Sequence, residues 1–144
     1  MGKKIILNTN LETVQIDFAD RGVTAEIQFD PTDPNLAVRF GEMEERIKTE
    51  IDKLPTVEVD AEGKPKDLSF VETIKGINQI IYDEIDRVFG NEISQTVFQF
   101  CSPFSLSKGK YFVMQFIEAI APLIRKSIDE ENKALNKHLA KYRK

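Results

Sequence analysis

Apolar residues return every three or four positions from Phe70 to Val88, and the run stops at a glycine. Phe70, Ile74, Ile77, Ile81, Ile85 and Val88 make one stripe ahead of Gly90. That spacing fits the 3.6-residue period of an α-helix and excludes the two-residue period of a strand. It predicts a helix over about 68–89, capped by Asp67 and closed by Gly90, which suits a left-handed C-terminal cap. A one-sided helix must be covered, so other elements have to supply apolar faces.

The same period recurs twice. Leu36, Phe40, Met43, Ile47, Ile51 and Leu54 form a stripe that Asp33 can cap, with Pro34 in the first helical position and Pro55 as the stop. Glu42, Glu44, Glu45, Arg46, Lys48 and Glu50 form the charged side, where Glu44 and Lys48 can pair. Near Lys110 another helix begins, with Phe112, Phe116, Ile120, Leu123, Ile124 and Ile128 inward. Pro122 lies within it, so either the helix kinks near Ile117 and Glu118 or a new one starts at Ala121. A shorter helix is expected over 92–100, with Ile93, Val97 and Phe98 inward, and residues 101–110 read as a loop.

The first thirty residues change period. In VQIDF and VTAEIQF apolar and polar residues alternate strictly, and ADRG between them supplies a turn. This is a β-hairpin, with residues 4–7 as a candidate third strand. A lone hairpin is marginal in water, so its apolar face should pack on the helices. Residues 55–67 hold two prolines, a glycine and alternating charges, and read as an exposed loop. The expected architecture is α+β and mainly α: an N-terminal hairpin packed on three to four amphipathic helices. Residues 1–128 form a single domain, and 129–144 a basic, helical or frayed C-terminal tail.

Composition narrows the chemistry. At 144 residues and 41% apolar content, the chain can build a core without a metal or disulfide. One cysteine, Cys101, and one histidine, His138, cannot make a zinc site, and the carboxylates lack EF-hand spacing. No metal and no cofactor is expected. Cys101, with Phe100 and Pro103 on either side of it, reads as a buried inert thiol. Asp83, Glu84 and Asp86 lie near the polar side of the second helix, which points to solvation rather than acid–base work. No glycine-rich phosphate loop exists. The protein is expected not to be an enzyme. The longest apolar run, 116–124, is far short of the about 20 residues a membrane helix needs. The apolar run at 5–7 is too short for a signal-peptide core. Host-cell cytoplasm is the expected location.

Four fragments, in order, resemble a known family. VQIDFAD, DPNLAVRFGEMEERI, YDEIDRVFG and QFIEAIAPLI are similar to the small tail assembly chaperones of long-tailed phages and prophages of Gram-positive bacteria. Asp17 and Phe18 match a strand end. Asp33, Pro34, Asn35, Leu36, Arg39 and Phe40 match a turn into a helix. Ile85, Asp86, Phe89 and Gly90 match a helix end, and Phe116, Ile117, Glu118, Ile120 and Pro122 a closing helix. The resemblance implies a non-enzymatic factor that binds the tape-measure protein and assists the assembly of tail-tube subunits.

Candidate partner-binding residues follow from the pattern. Phe104 and Leu106 sit in the loop before the last helix, and Leu135, Leu139 and Tyr142 are the apolar residues of the tail. Lys133, Lys137, Lys141, Arg143 and Lys144 make that tail basic, while 12–60 is strongly acidic. Opposite ends of this kind can steer copies into a homo-oligomer. Two other functions stay open: a structural tail or head–tail joining protein kept in the virion, and a basic-tailed nucleic-acid-binding regulator. With only Tyr142 for stacking in the tail, nucleic acid is the weaker expectation.

Overall fold

The computed structural model describes residues 2–142. It is α+β and mainly α. Strands β1 (Glu12–Phe18) and β2 (Val23–Phe29) form an antiparallel hairpin. Helices α1 (Pro34–Asp52), α2 (Val71–Phe89) and the short α3 (Ile93–Val97) follow. A small hairpin, β3 (Leu106–Ser107) and β4 (Lys110–Tyr111), then leads into α4 (Phe112–Ala140).

The alternation in β1 and β2 sets the face of the sheet. Register pairs Val14 with Ile27 and Ile16 with Ala25, so the apolar residues share one side. Phe18, Ile27 and Phe29 are buried there. Gly22, at φ 65°, lets the chain reverse. The candidate third strand does not form: residues 2–11 carry no strand, and Ile5, Ile6 and Leu7 are exposed.

Helix α1 starts as its sequence dictates. Asp33 accepts a hydrogen bond from the Asn35 backbone N–H at 2.9 Å, and Pro34 opens the helix. Leu36, Phe40, Met43 and Ile47 are buried, and Lys48 pairs with Glu44 at 3.1 Å. Glu50 departs from expectation. It lies three residues beyond Ile47 on the inward stripe and is buried, its carboxylate held by Lys53 at 3.2 Å.

Helix α2 begins at Val71, three residues later than expected. Asp67 accepts instead from the Ser69 N–H at 2.8 Å, which closes an Asx turn ahead of the helix. These bonds hold the exposed Asp67 carboxyl below its ordinary range, the backbone N–H of Ser69 contributing most. Residues 55–67 are exposed apart from the half-buried Pro55 and Asp60, yet they are not shapeless. Val59 bridges Pro65, and Asp60 Oδ1 accepts from the N–H groups of Glu62 and Lys64, both at 2.9 Å.

The three carboxylates late in α2 do separate jobs, and only Asp83 is solvated as expected. Glu84 is buried and receives Arg87 at 2.9 Å and Arg46 of α1 at 3.4 Å, so it ties the two helices together. Asp86 accepts from the backbone N–H of Ser94 at 2.7 Å and from its hydroxyl at 3.0 Å. It thereby satisfies an orphan donor of α3 from the preceding helix. The link is possible because Gly90 takes φ 119° and Glu92 the left-handed region at φ 70°, which reverse the chain between them. Gly90 is at positive φ, but outside the left-handed cap conformation the sequence suggested.

Helix α4 runs unbroken through Pro122, so no new helix begins at Ala121. Its 29 residues span about 43 Å at 1.5 Å per residue. Val113, Phe116, Ile117, Ile120 and Ile124 are buried, and Ile128 is the last residue to touch the core. The core is one cluster with members from β2, α1, α2, α3 and α4. Phe89 is its aromatic junction: its ring meets Phe29 at 5.1 Å, Phe40 at 6.2 Å and Phe116 at 5.6 Å, all edge to face.

Phe89→Ala should cost about 3–5 kcal/mol, the range for removing a buried aromatic, read from urea unfolding followed by circular dichroism. Asp86→Ala should cost about 0.5–2 kcal/mol, the range for a lost N-cap. Asp86→Asn should retain most of that stability, because its amide oxygen still accepts.

Candidate functional site

The sheet has only two strands, so β1 has one edge paired to β2 and one edge open. Among the described residues, no backbone group outside the hairpin bonds to that open edge. Facing β1 across a gap is the first half of α4. Between them runs a groove of about 740 Å³.

One wall of the groove is β1 and its turn, Val14 through Arg21. The other is α4, which presents Phe112, Gln115, Phe116, Ala119, Ile120 and Leu123. These recur at three and four residues, so they form one ridge along the helix. Phe100 and Cys101 close one end. The Phe100 ring packs edge to face on Phe18 at 5.1 Å, and the Arg21 guanidinium lies 5.3 Å above it. Asp17 and Asp20 add negative charge along the strand and its turn.

Cys101 is therefore half-buried and lines a groove, rather than being enclosed in the core. Tyr82 packs on Phe98, ring centroids 5.5 Å apart. Burial raises the Tyr82 phenol above its usual pKa of 10, and the nearby Cys101 adds to the shift. Among the described residues, no group of three or more His, Cys, Asp or Glu is placed to hold a metal.

The sequence-derived partner residues separate. Phe104 is no exposed anchor. It is half-buried against the core, its ring edge to face with Tyr111 at 5.6 Å. The Ser105 carbonyl accepts from the Phe112 N–H at 2.8 Å, and the Pro103 carbonyl from Val113 at 2.9 Å. These bonds fold the expected loop onto the start of α4. Leu106 is exposed on the rim of the groove. The hairpin beneath it turns at Lys108 and Gly109, φ 53° and 77°, the signs a tight two-residue turn requires.

Leu135 and Tyr142 are exposed and Leu139 is half-buried, all beyond the last core contact at Ile128. Tyr142 stacks edge to face with His138 at 5.4 Å. Leu135 lies twelve residues past Leu123, about 18 Å along the helix. The groove and the α4 extension are thus two surfaces. Arg143 and Lys144 of the basic tail lie outside the described residues.

The sequence pattern did not disclose the groove. Phe112, Phe116, Ile120 and Leu123 read as inward core residues, and Ala119 carried no signal. Phe116 and Ile120 are indeed buried, and the exposure of Phe112, Ala119 and Leu123 beside them depends on how far β1 stands from α4, a distance no periodicity encodes. The one available hint was the width of the apolar face on α4, where Val113, Ile117 and Ala121 add to the first stripe.

The architecture defines a small α+β protein with an open strand edge beside an amphipathic helix. Residues 22–144 match the family of unknown function DUF6673, and the chain belongs to it. No curated protein and no solved structure matches the chain significantly. No helix among the described residues is long and apolar enough to cross a membrane.

A phenol that keeps its proton longer in the fold stabilises the native state below the unfolded pKa. That contribution is lost as pH rises from about 10 through the folded value. Stability should therefore fall above pH 10, and Tyr82→Phe should flatten this part of a urea-midpoint-against-pH curve.

Proposed function

We propose that this protein is a non-enzymatic assembly factor, a tail assembly chaperone that binds the tape-measure protein and assists tail-tube assembly. One observation carries the reading beyond the sequence resemblance. Helix α4 continues past the core for about three turns, residues 129–140, and leaves Leu135 uncovered and Leu139 only half covered.

A helix that buries nothing is marginal by itself. An apolar row on such a helix gains stability when a second amphipathic helix lies along it. Ile128, Leu135 and Tyr142 recur every seven residues, with Leu139 between, which is the seam a long helical client can share. Lys133, Lys137 and Lys141 form an adjacent row at four-residue steps, suited to an acidic flank on that client. A long helical client with exposed apolar residues aggregates unless such faces are covered.

Co-expression with a tape-measure fragment should raise the soluble yield of that fragment several-fold and give a complex that co-purifies. Leu135→Asp with Leu139→Asp should abolish both effects while leaving helical circular dichroism almost unchanged, because neither residue belongs to the core. No co-purification with the unaltered chain would overturn the proposal. Recovery of the protein from purified particles would instead make it a structural tail or head–tail joining protein. The lysine row favours a second reading, a nucleic-acid-binding regulator. That reading requires a salt-dependent DNA shift that is lost when Lys133, Lys137 and Lys141 become glutamate.

A further inference from the structure

We propose that residues 3–7 of one copy add as a strand to the open edge of β1 in a second copy, within the groove against α4. The inference is independent of which client the protein serves. It starts from two surfaces that each lack a cover. The arm carries Ile5, Ile6 and Leu7 in a row, 80%, 74% and 84% exposed. The groove offers an unpaired strand edge and an apolar helix ridge. An extended segment that joins a sheet edge satisfies the edge N–H and C=O groups, and its alternate side chains enter the groove.

Register follows from alternation. Val14, Ile16 and Phe18 face the helices, while Thr13, Gln15 and Asp17 are exposed on the other side. An antiparallel arm with Leu7 opposite Val14 puts Ile5 opposite Ile16, both facing the Phe116, Ala119 and Leu123 ridge. The same register sets Lys4 opposite Asp17 on the outer face, and sets Lys3 opposite Phe18 at the very end of the strand, next to the turn that carries Asp20. A parallel arm puts the lysines at the far end of β1, where Glu12 is the single strand carboxylate, and leaves Asp17 and Asp20 unmatched. Arg21, which lines that end of the groove, is already stacked on Phe100. Charge and apolar pattern thus select one register.

That register also selects a second copy over the arm's own strand. Folding back within one chain would pair Thr9 with Glu12 and leave Asn10 and Leu11 as a two-residue turn. Such turns need positive φ at the first residue or at both, and favour glycine or Asn-Gly there, which Asn10-Leu11 does not supply. Shifting by two residues relaxes the turn to residues 8–11. It then moves Lys3 from the strand end at Phe18 into the middle of the apolar row, opposite Ile16, and separates Lys4 from Asp17. A neighbouring copy meets neither obstacle.

The test is light scattering on the full chain at tens of micromolar. Ile5→Asp with Leu7→Asp spoils the arm, and Ala119→Arg, at an exposed position, fills the groove. Each variant should be monomeric alone, and a one-to-one mixture should associate again, since each still holds the partner the other lacks. Lys4→Asp and Asp17→Lys should each weaken association about tenfold, and together restore it. If Ala119→Arg lowers the helical signal, the charge-reversal pair decides. A monomeric full chain, association that survives loss of the arm, or charge reversals that do not compensate would overturn the proposal. So would slow exchange, in a monomer, of those β1 amides that point away from β2, the mark of an arm folded on its own edge.

Discussion

The ring of Phe89 is the contact on which the arrangement of the other elements depends. It stands at the last turn of α2 and touches an aromatic from the hairpin, one from α1 and one from α4. Helices in a small bundle can slide along one another at little cost when aliphatic side chains alone separate them. An aromatic with three edge-to-face neighbours resists that sliding, because each partner must meet it at a defined angle. The position of the hairpin against the helices, and hence of β1 against α4, is fixed from this point.

Immediately after Phe89 the chain uses polar chemistry to hold the same junction. Asp86 reaches forward to the N-terminus of α3, and Gly90 supplies a backbone conformation closed to other residues. The Ile-Asp-x-x-Phe-Gly pattern is therefore a structural device. Ile85 and Phe89 are core, Asp86 is a cap and Gly90 is a turn. One turn earlier, Glu84 gathers Arg87 and Arg46 and ties α1 to α2. A buried carboxylate contributes little net stability by itself, but removing one partner leaves an unpaired buried charge. Such pairs specify which faces meet more than they stabilise the meeting.

With the core closed in this way, apolar surface remains in two places. The groove beside β1 is left over because a two-stranded sheet has two edges and α3 lies at only one side of it. The end of α4 is left over because the helix is longer than the body it packs on. The groove shares Phe116 and Ile120 with the core, the helix end shares nothing with it, and each is proposed to meet another polypeptide. The groove matches an extended segment, which its strand edge can pair. The helix end matches another helix, which its heptad spacing can follow.

How much of this was written in the sequence depends on the range of the interaction involved. Periodicity and capping are local, and they were legible: the hairpin, the Asp33–Pro34 start of α1, the stripe of α2 and the glycine that ends it. Errors came where a partner distant in sequence decided. Glu50 and Glu84 looked solvated until their cations and the covering core were in place. Phe104 looked loose until the β3–β4 hairpin folded it against Tyr111. Pro122 left open a kink or a new helix at Ala121, and α4 runs through it as one helix, for a missing N–H removes one hydrogen bond while the packed Ile117, Ile120 and Ile124 hold the helix on both sides. The amino-acid order by itself determined which segments are helix and strand and which faces are apolar. Only the tertiary structure decided that β1 keeps an open edge at a distance from α4. That gap is set by side chains of Phe18, Phe89 and Phe100 meeting partners far along the chain, and no local pattern measures it.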